Sequence, residues 1–243
     1  MILLVALAGA VMPVEAAERA FAAQAQRDGQ WTAFRANAAP EAVMFAPEMV
    51  RTADLLRDQP DPPRALMWWP ARTITSCDGT LAVSTGPWTG PGNGTGTYTT
   101  VWRRQVDGGW KWLIDSGRDL PVRQPATEPT LALKASCWRA PPGAHNRVPP
   151  DTGRFDAARL ATAAAPTLRV EEQGRRPSDR PRADLALELG PELVGGASDD
   201  ATLDWAVQPV IGGAKGAHVL RVWYLDGATM RLVLVNINGT ATQ

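Results

Sequence analysis

Three side chains in the first half of the chain are of types that carry out acid–base chemistry: Glu41, Tyr98 and Asp115. A carboxylate can remove a proton, and a phenol hydroxyl can donate a hydrogen bond to a developing oxyanion. Asp115 ends a predicted strand, where an exposed aspartate at its ordinary pKa is a weak base. The alternative interpretation of Tyr98 and Asp115 is structural, as a sheet tyrosine and a strand-end aspartate. No motif joins the three residues.

Signatures of metal, phosphate and nucleophile chemistry are missing from the sequence. The two histidines, His145 and His218, are far apart, and no HExxH or CxxC spacing occurs, although metal sites usually need such clusters. The glycine-rich residues 86–98 lack the lysine and the following helix of a phosphate-binding loop, so a hairpin loop is predicted instead. No Gly-x-Ser-x-Gly elbow is present, and Cys77 has no nearby histidine to activate it. We expect no metal site and no cofactor.

A set of aromatic residues forms the candidate ligand pocket: Trp69, Trp88, Tyr98, Trp102 and Trp112. Trp and Tyr supply large contact areas at low entropic cost, which suits an apolar or ring-shaped ligand. The alternative is that each tryptophan fills the core under the helices. We expect one or two of them, near the mouth of the pocket, to touch its occupant.

The elements that must position these residues follow from composition and turn signals. Residues 15–27 are rich in alanine and predict a helix that ends at Gly29, and residues 30–38 predict a second, shorter helix. Residues 40–47 predict an edge strand between prolines. Residues 65–116 contain four apolar runs separated by Asp-Gly and Gly-Pro-Gly signals, which predict an antiparallel meander.

Strict alternation along the last run of the meander would group Trp112 with Ile114 and put Asp115 on the opposite face. Which face lines a pocket depends on register, because a slip of one residue exchanges the two faces.

The strings AERAFAAQAQRDGQWTAFRANAAPEAVMFAP, TGPW, TYTTVWRR and DGGWKWLIDSG, within residues 17–119, resemble the nuclear-transport-factor-2-like superfamily, in particular its SnoaL-like and ketosteroid-isomerase-like members. The resemblance implies an α+β, cone-shaped, cystatin-like fold in which a curved antiparallel sheet wraps the N-terminal helices. It implies a pocket at the open end of the cone. Isomerases, cyclases, dehydratases and non-catalytic binding modules share this fold, so the fold alone does not choose a function.

The isomerase pattern of that family is incomplete here. It needs a carboxylate base near the first strand, a tyrosine and a protonated acid. Glu41 lies near the expected base, but the first helix carries Phe21 where a tyrosine is wanted, and the strand around Tyr98 offers no acid. We interpret this as loss of the acid–base machinery.

Composition divides the chain into four expected parts. Residues 1–16 predict a signal peptide, although an apolar first helical turn is the alternative. Residues 17–120 form the pocket domain, residues 121–200 a Pro-, Gly- and Arg-rich linker, and residues 201–243 a C-terminal antiparallel β-hairpin module. The C-terminal module shares a strand–Asp-Gly–strand layout with the meander, which either a degenerate repeat or ordinary hairpin chemistry explains.

Charge and cysteine content limit the cellular compartment and the kinds of partner that we expect for this protein. The chain has 25 basic and 25 acidic residues, so we expect neither nucleic acid nor an anionic membrane surface as a partner. Two cysteines, Cys77 and Cys137, predict one disulfide in an exported protein, with two separate thiols as the alternative. We expect a periplasmic or secreted bacterial protein without stable insertion in a membrane.

The sequence therefore favours an exported pocket protein that binds a small apolar ligand or a partner without turnover. The alternative is an isomerase-, cyclase- or dehydratase-type enzyme that uses a pocket carboxylate and a tyrosine. A third hypothesis is a homodimer that pairs through the open face of the sheet. A buried titratable group facing the pocket would favour the enzyme, and an exposed apolar sheet face would favour the dimer.

Overall fold

The computed structural model describes residues 12–124, 129–137, 150–180 and 182–239. This part of the chain has an α+β architecture with short helices and extensive sheets. The helices are α1 (Val14–Asp28), α2 (Gln30–Asn37), α3 (Thr52–Leu55) and α4 (Ala157–Ala163). The strands are β1 (Ala38–Phe45), β2 (Met49–Arg51), β3 (Met67–Trp68), β4 (Arg72–Thr75), β5 (Leu81–Thr89), β6 (Thr95–Arg104), β7 (Trp110–Asp119), β8 (Leu131–Lys134), β9 (Gly153–Asp156), β10 (Ala164–Glu172), β11 (Arg175–Ser178), β12 (Ala186–Leu189), β13 (Val194–Ala197), β14 (Leu203–Pro209), β15 (His218–Asp226) and β16 (Thr229–Asn238).

Two large sheets lie face to face at the centre of the molecule. The first sheet has the order β2-β1-β7-β6-β5-β4-β8, with β3 paired to β5, and the second has the order β11-β10-β16-β15-β14-β13. A buried hydrophobic cluster that includes Val83 and Val101 of the first sheet and Val207 and Leu220 of the second joins them. Helices α1 and α2 cover the outer face of the first sheet, and α4 with the two-stranded β9–β12 sheet covers the outer face of the second.

Helix α1 is anchored on the first sheet by Phe21. This side chain is 1% exposed and contacts the rings of Phe34, Trp68 and Trp102. Gly29 separates α1 from α2 with φ of 107°, and a Cβ there would collide with the Asp61 carboxylate. The glycine therefore allows the sharp turn that folds both helices onto one sheet face.

A β-bulge in β7 decides which side chains face the helices. Val101 of β6 pairs with Ile114, but the next residue, Trp102, pairs with Trp112, so Leu113 is the extra residue. The bulge reverses the alternation along β7. Trp112 therefore packs under the helices, Ile114 packs against the second sheet, and Asp115 returns to the helix side. The expectation that Trp112 and Ile114 share a face is wrong for this reason.

The second sheet repeats the first. Strands β2, β1, β7, β6, β5 and β4 correspond in order and pairing to β11, β10, β16, β15, β14 and β13. The bulge recurs at the same place, since Val222 pairs with Leu234 and Trp223 pairs with Leu232. Of the two explanations left open by the sequence, this topology supports a degenerate repeat over hairpin chemistry alone.

The repeats meet at a pair of matching turns, residues 76–81 and 198–203, which share the pattern Ser-x-Asp-x-Thr-Leu. The backbone N–H of Asp78 donates to Asp200 Oδ2 (2.8 Å), and the backbone N–H of Asp200 donates to Asp78 Oδ2 (2.9 Å). Within each turn the aspartate accepts hydrogen bonds from the neighbouring serine and threonine hydroxyls. This reciprocity gives the two halves a local two-fold relationship.

The segment expected as a linker, residues 121–200, contains folded elements in its described parts. Strand β8 pairs with β4 in the first sheet, and β10, β11 and β13 are half of the second sheet. The strands β14, β15 and β16, expected as a separate C-terminal module, belong to that same sheet. Arginine-rich strands such as β11 and the prolines around them resemble linker sequence, and only pairing with buried neighbours makes them strands.

The structure also bears on the predicted disulfide, the N-terminal segment, membrane insertion and the dimer face. The predicted disulfide between Cys77 and Cys137 is present. Residues 1–11, most of the predicted signal peptide, lie outside the described residues, and α1 begins at Val14. In the described part of the chain, no helix has both the length and the apolarity needed to cross a bilayer. The sheet face expected to form a homodimer packs instead against the chain's own second sheet.

Candidate functional site

A cavity of ≈ 340 Å³ lies beside the helix-covered face of the first sheet and reaches the edge of the second. One wall is apolar, and its described residues are Phe34, Met44, Phe45, Leu66, Trp68 and Trp88. The polar part of the lining includes Tyr98, Asp115, Arg118, His218 and Asn238. An apolar lining with a few placed polar groups is the usual form of a small-molecule site.

Asp115 is the titratable group best placed to act on a bound molecule. It lies on the cavity wall because of the bulge in β7. Its Oδ2 accepts a hydrogen bond from Thr100 Oγ1 at 2.7 Å, whereas Oδ1 has no hydrogen bond from the described residues. Burial raises the pKa of Asp115 to about 6, against the opposing effects of the Thr100 hydrogen bond and the Arg118 charge. At neutral pH this is an ionised carboxylate that is more basic than an ordinary aspartate.

A second carboxyl group, Glu18 of α1, is fully buried behind the cavity. Trp68 Nε1 donates to Glu18 Oε1 and Trp102 Nε1 donates to Glu18 Oε2, both at 2.8 Å. Burial raises the pKa of Glu18 to about 8 and the charge of Asp115 adds to the shift, while these hydrogen bonds oppose it. Glu18 is therefore mostly protonated at neutral pH, when Asp115 is mostly ionised.

Ser84 and Tyr98 connect Glu18 to the cavity. The Ser84 hydroxyl lowers the pKa of Glu18, and its Oγ lies 3.1 Å from the Tyr98 hydroxyl. Burial, followed by the nearby Glu18 charge, raises the pKa of Tyr98 well above its usual value. The phenol thus stays protonated and can serve as a hydrogen-bond donor at the cavity wall.

The second sheet contributes a neutral histidine to the polar wall. His218 stacks on Phe45, with ring centroids 3.6 Å apart. Its Nδ1–H donates to the Gly216 carbonyl (2.8 Å), and its Nε2 accepts from Asn238 Nδ2 (3.2 Å). Burial lowers the pKa of His218 to about 4, so this ring does not exchange protons near neutral pH.

Arg118 also belongs to this wall, but its charge is already paired. It is 3% exposed, and its Nη1 donates to Glu171 of the second sheet at 2.5 Å. Its Nε donates to Asn238 Oδ1 at 3.3 Å. Removing one member of such a buried pair is costly, which makes Arg118 a structural link between the sheets.

The structure separates the sequence-predicted residues into two groups. Tyr98, Asp115 and Trp88 line the cavity. Glu41 is exposed on β1 and pairs with Arg103 at the surface, away from the cavity. The other three tryptophans are placed differently: Trp102 and Trp112 are buried under the helices, and Trp69 is half-buried outside the cavity lining.

Sequence reasoning missed Glu18, Trp68 and the residues of the second sheet. Glu18 lies three residues before Phe21, on the face of α1 that also carries Ala17 and Ala25. One acidic residue within a buried helix face was the available signal. Trp68 was hidden by its neighbour Trp69, since β3 spans only Met67–Trp68 and is too short to show an alternating pattern. No local signal marks His218 as part of this site.

The described residues contain no cluster of three or more His, Cys, Asp or Glu side chains able to hold a metal ion.

No protein-family model matches the sequence, and no curated protein matches it. Among solved structures, the chain is similar to a protein described as NTF2-like from Bacteroides fragilis NCTC 9343, with 10% identity over 94% of this chain and 99% of that chain. The TM-score is 0.24, and this likeness carries no argument about mechanism.

Proposed function

We propose that the cavity beside the first sheet binds a small, mostly apolar molecule with one carbonyl or hydroxyl group, and that Asp115 transfers a proton on it. The observation that carries this proposal is a carboxylate oxygen, Asp115 Oδ1, without a protein partner among the described residues, on the wall of an aromatic cavity. The reaction class is isomerisation, cyclisation or dehydration.

The apolar wall supports binding of a small ligand. Trp68, Trp88 and Phe34 line the cavity, and a volume of ≈ 340 Å³ holds a molecule of about one to three rings. This part of the proposal agrees with the function favoured by the sequence, an exported protein that binds a small apolar ligand.

The two carboxyl groups support turnover over binding alone. Groups whose environments push their pKa values apart divide the roles of acid and base between them. Asp115, with a pKa of about 6, is the base, and Tyr98, whose hydroxyl contacts Ser84 Oγ near protonated Glu18, donates to the substrate oxygen. Glu18 of α1 thus supplies the protonated acid that the isomerase pattern needs and that the strand around Tyr98 does not offer.

The proposed architecture is the cystatin-like cone of the nuclear-transport-factor-2-like superfamily. Its support is the packing of α1 against β3, β4 and β5 and the pocket beside them. Export to the periplasm or the medium remains part of the proposal, and the Cys77–Cys137 disulfide is consistent with it.

The test uses 2-tetralone, a two-ring ketone with acidic α-protons. Its deuterium uptake in D₂O is followed by mass spectrometry, and its binding is followed by tryptophan fluorescence. We expect the protein to accelerate uptake above the buffer rate and Asp115→Asn to lower the acceleration by roughly 10²- to 10⁴-fold. The control Glu41→Gln, which removes a surface carboxylate outside the cavity, should retain it.

The pH profile of this exchange adds a second readout. The rate should rise through about pH 6 as Asp115 ionises and fall near pH 8 as Glu18 loses its proton. Binding of 2-tetralone without exchange would refute turnover and return the protein to the class of binders. Absence of binding would refute the apolar cavity as a ligand site.

A further inference from the structure

A second cavity of ≈ 450 Å³ lies on the outer face of the second sheet, next to α4. Its apolar lining comes from Phe155, Trp223, Met230 and Leu232. It is distinct from the cavity described above, because the two share no lining residue and lie on the outer faces of different sheets.

The centre of this second cavity is a buried arginine. The Arg221 side chain is 2% exposed, and its guanidinium lies between the rings of Phe155 (5.0 Å) and Trp223 (4.9 Å). Its Nη1 donates to Asp151 Oδ1 at 2.8 Å, and its Nη2 donates to Gln208. The buried Nε–H has no hydrogen-bond partner among the described residues. Stacking fixes the plane of the guanidinium, which suits planar recognition of an acidic group.

A second cation shares the same counter-ion. Arg159 of α4 pairs through Nη2 with Asp151 Oδ2, so one carboxylate serves two guanidinium groups. Burial lowers the pKa of Arg221, and repulsion from Arg159 adds to this effect, whereas Asp151 opposes it. The cavity therefore keeps one unbalanced positive charge, and Arg159, at 44% side-chain exposure, is reachable by a ligand.

Equivalent positions of the two repeats carry different charges in the two cavities. Aligning the two bulges makes Arg221 the counterpart of Thr100, and Val235 the counterpart of Asp115. Thr100 and Asp115 form a cross-strand pair in the first sheet, as Arg221 and Val235 do in the second. The same place in the fold is acidic in one half and basic in the other.

We propose that the cavity on the second sheet binds a small organic carboxylate, whose acidic group pairs with the exposed Arg159 beside the buried Arg221–Asp151 pair and whose apolar part packs on Trp223 and Leu232. Charge-assisted, bidentate pairing with arginine is the strong form of carboxylate recognition. The ligand is an acid with an aromatic or aliphatic body, and it does not need the chemistry of the first cavity.

The test is calorimetric titration of the full chain with 2-naphthoate and with its neutral isostere, 2-naphthamide. We expect the protein to bind the acid at least ten times more tightly than the amide. Arg159→Gln should remove this preference, since a hydrogen bond to a charged group contributes about 1.5–3 kcal/mol, which corresponds to roughly tenfold or more in Kd. Arg154→Gln is the matched control, because Arg154 is an exposed arginine beside α4 that pairs with Asp156.

Methionine-methyl NMR locates the bound acid without relying on a variant. Met230 lines the second cavity and Met44 lines the first. We expect the ring current of 2-naphthoate to shift the Met230 methyl resonance and to leave Met44 in place. A shift at Met44 alone, equal affinity for acid and amide, or equal loss in both arginine variants would overturn the proposal.

Discussion

Replacing Glu18 by glutamine tests the buried carboxyl group on which the proposed acid depends. Glu18 is protonated in the folded protein up to a pKa of about 8, whereas its model value is 4.5. Between these values the folded state holds one more proton than the unfolded state, so the free energy of unfolding falls as pH rises. The stabilising contribution is complete below pH 4.5 and is lost as pH rises through about 8.

The magnitude follows from the size of the shift. One pKa unit corresponds to about 1.4 kcal/mol, so the wild-type protein should lose roughly 3 kcal/mol through Glu18 between pH 4.5 and 7. The most informative interval is pH 6.5 to 7.5, because it lies above the folded pKa of Asp115, about 6, and because His218, with a pKa of about 4 when folded and 6.5 when unfolded, affects the wild type and the variant equally. There we expect a loss of about 1 kcal/mol in the wild type, and none from this position in Glu18→Gln.

The Glu18→Gln substitution also lowers the free energy of unfolding by an amount that does not depend on pH. A glutamine oxygen can accept from the indole N–H of Trp68 or of Trp102, but its amide nitrogen cannot accept from the other. Leaving one buried donor unpaired costs about 1–3 kcal/mol. The informative quantity is therefore the slope of stability with pH, and not the stability at one pH.

The assay is urea unfolding at several pH values, followed by tryptophan fluorescence with the disulfide intact. Glu15→Gln removes a half-exposed carboxylate from the same helix and serves as the control for helix charge. Parallel pH profiles for the wild type and Glu18→Gln would refute the reasoning, since they would show that Glu18 is ionised in the folded state at neutral pH.

Three further outcomes test the fold. Reducing the disulfide between Cys77 and Cys137, which are 60 residues apart, should destabilise the protein by about 4 kcal/mol, measured as a drop in unfolding midpoint with reductant. Asp78→Ala and Asp200→Ala should each lower the free energy of unfolding by about 1–3 kcal/mol. Because each aspartate accepts a hydrogen bond from the other's backbone N–H, the two effects should be coupled in a double-mutant cycle. Additive effects would contradict the reciprocal junction. Glu171→Gln should cost about 3–5 kcal/mol by leaving a buried guanidinium charge unpaired, and a loss below 1 kcal/mol in urea unfolding would contradict that account.

Local sequence determined many of the elements around the first cavity. The alanine-rich segment ended by Gly29 forms α1, and the apolar runs between Asp-Gly signals form β5, β6 and β7. These features depend on helix propensity, turn conformation and β-branched composition within a few residues. The pairing of Cys77 with Cys137 also followed, because two cysteines in one chain allow only one intramolecular bridge.

The sequence predicted β14, β15 and β16 of the second sheet as a separate module, but it did not reveal the other three strands. Strands β10 and β11 carry arginine, glutamate and proline, and they become ordered by pairing with β16 and packing on the first sheet. Besides the shared strand–Asp-Gly–strand layout, the Ser-x-Asp-x-Thr-Leu pattern at residues 76–81 and 198–203 marks the repeat. Six residues are too few to stand out without the contacts that explain them.

The candidate site was decided by tertiary structure. Alternation along β7 predicts the wrong neighbours for Asp115, because one extra residue at Leu113 reverses the faces of the strand. Glu18 acquires its raised pKa only when α1 packs on the sheet and water is removed from the carboxyl group. Periodicity and propensity act over a few residues, whereas register, burial and charge compensation depend on residues far apart in the chain. Local patterns therefore predicted most of the elements around the first cavity, and the packing of distant strands and helices determined the chemistry.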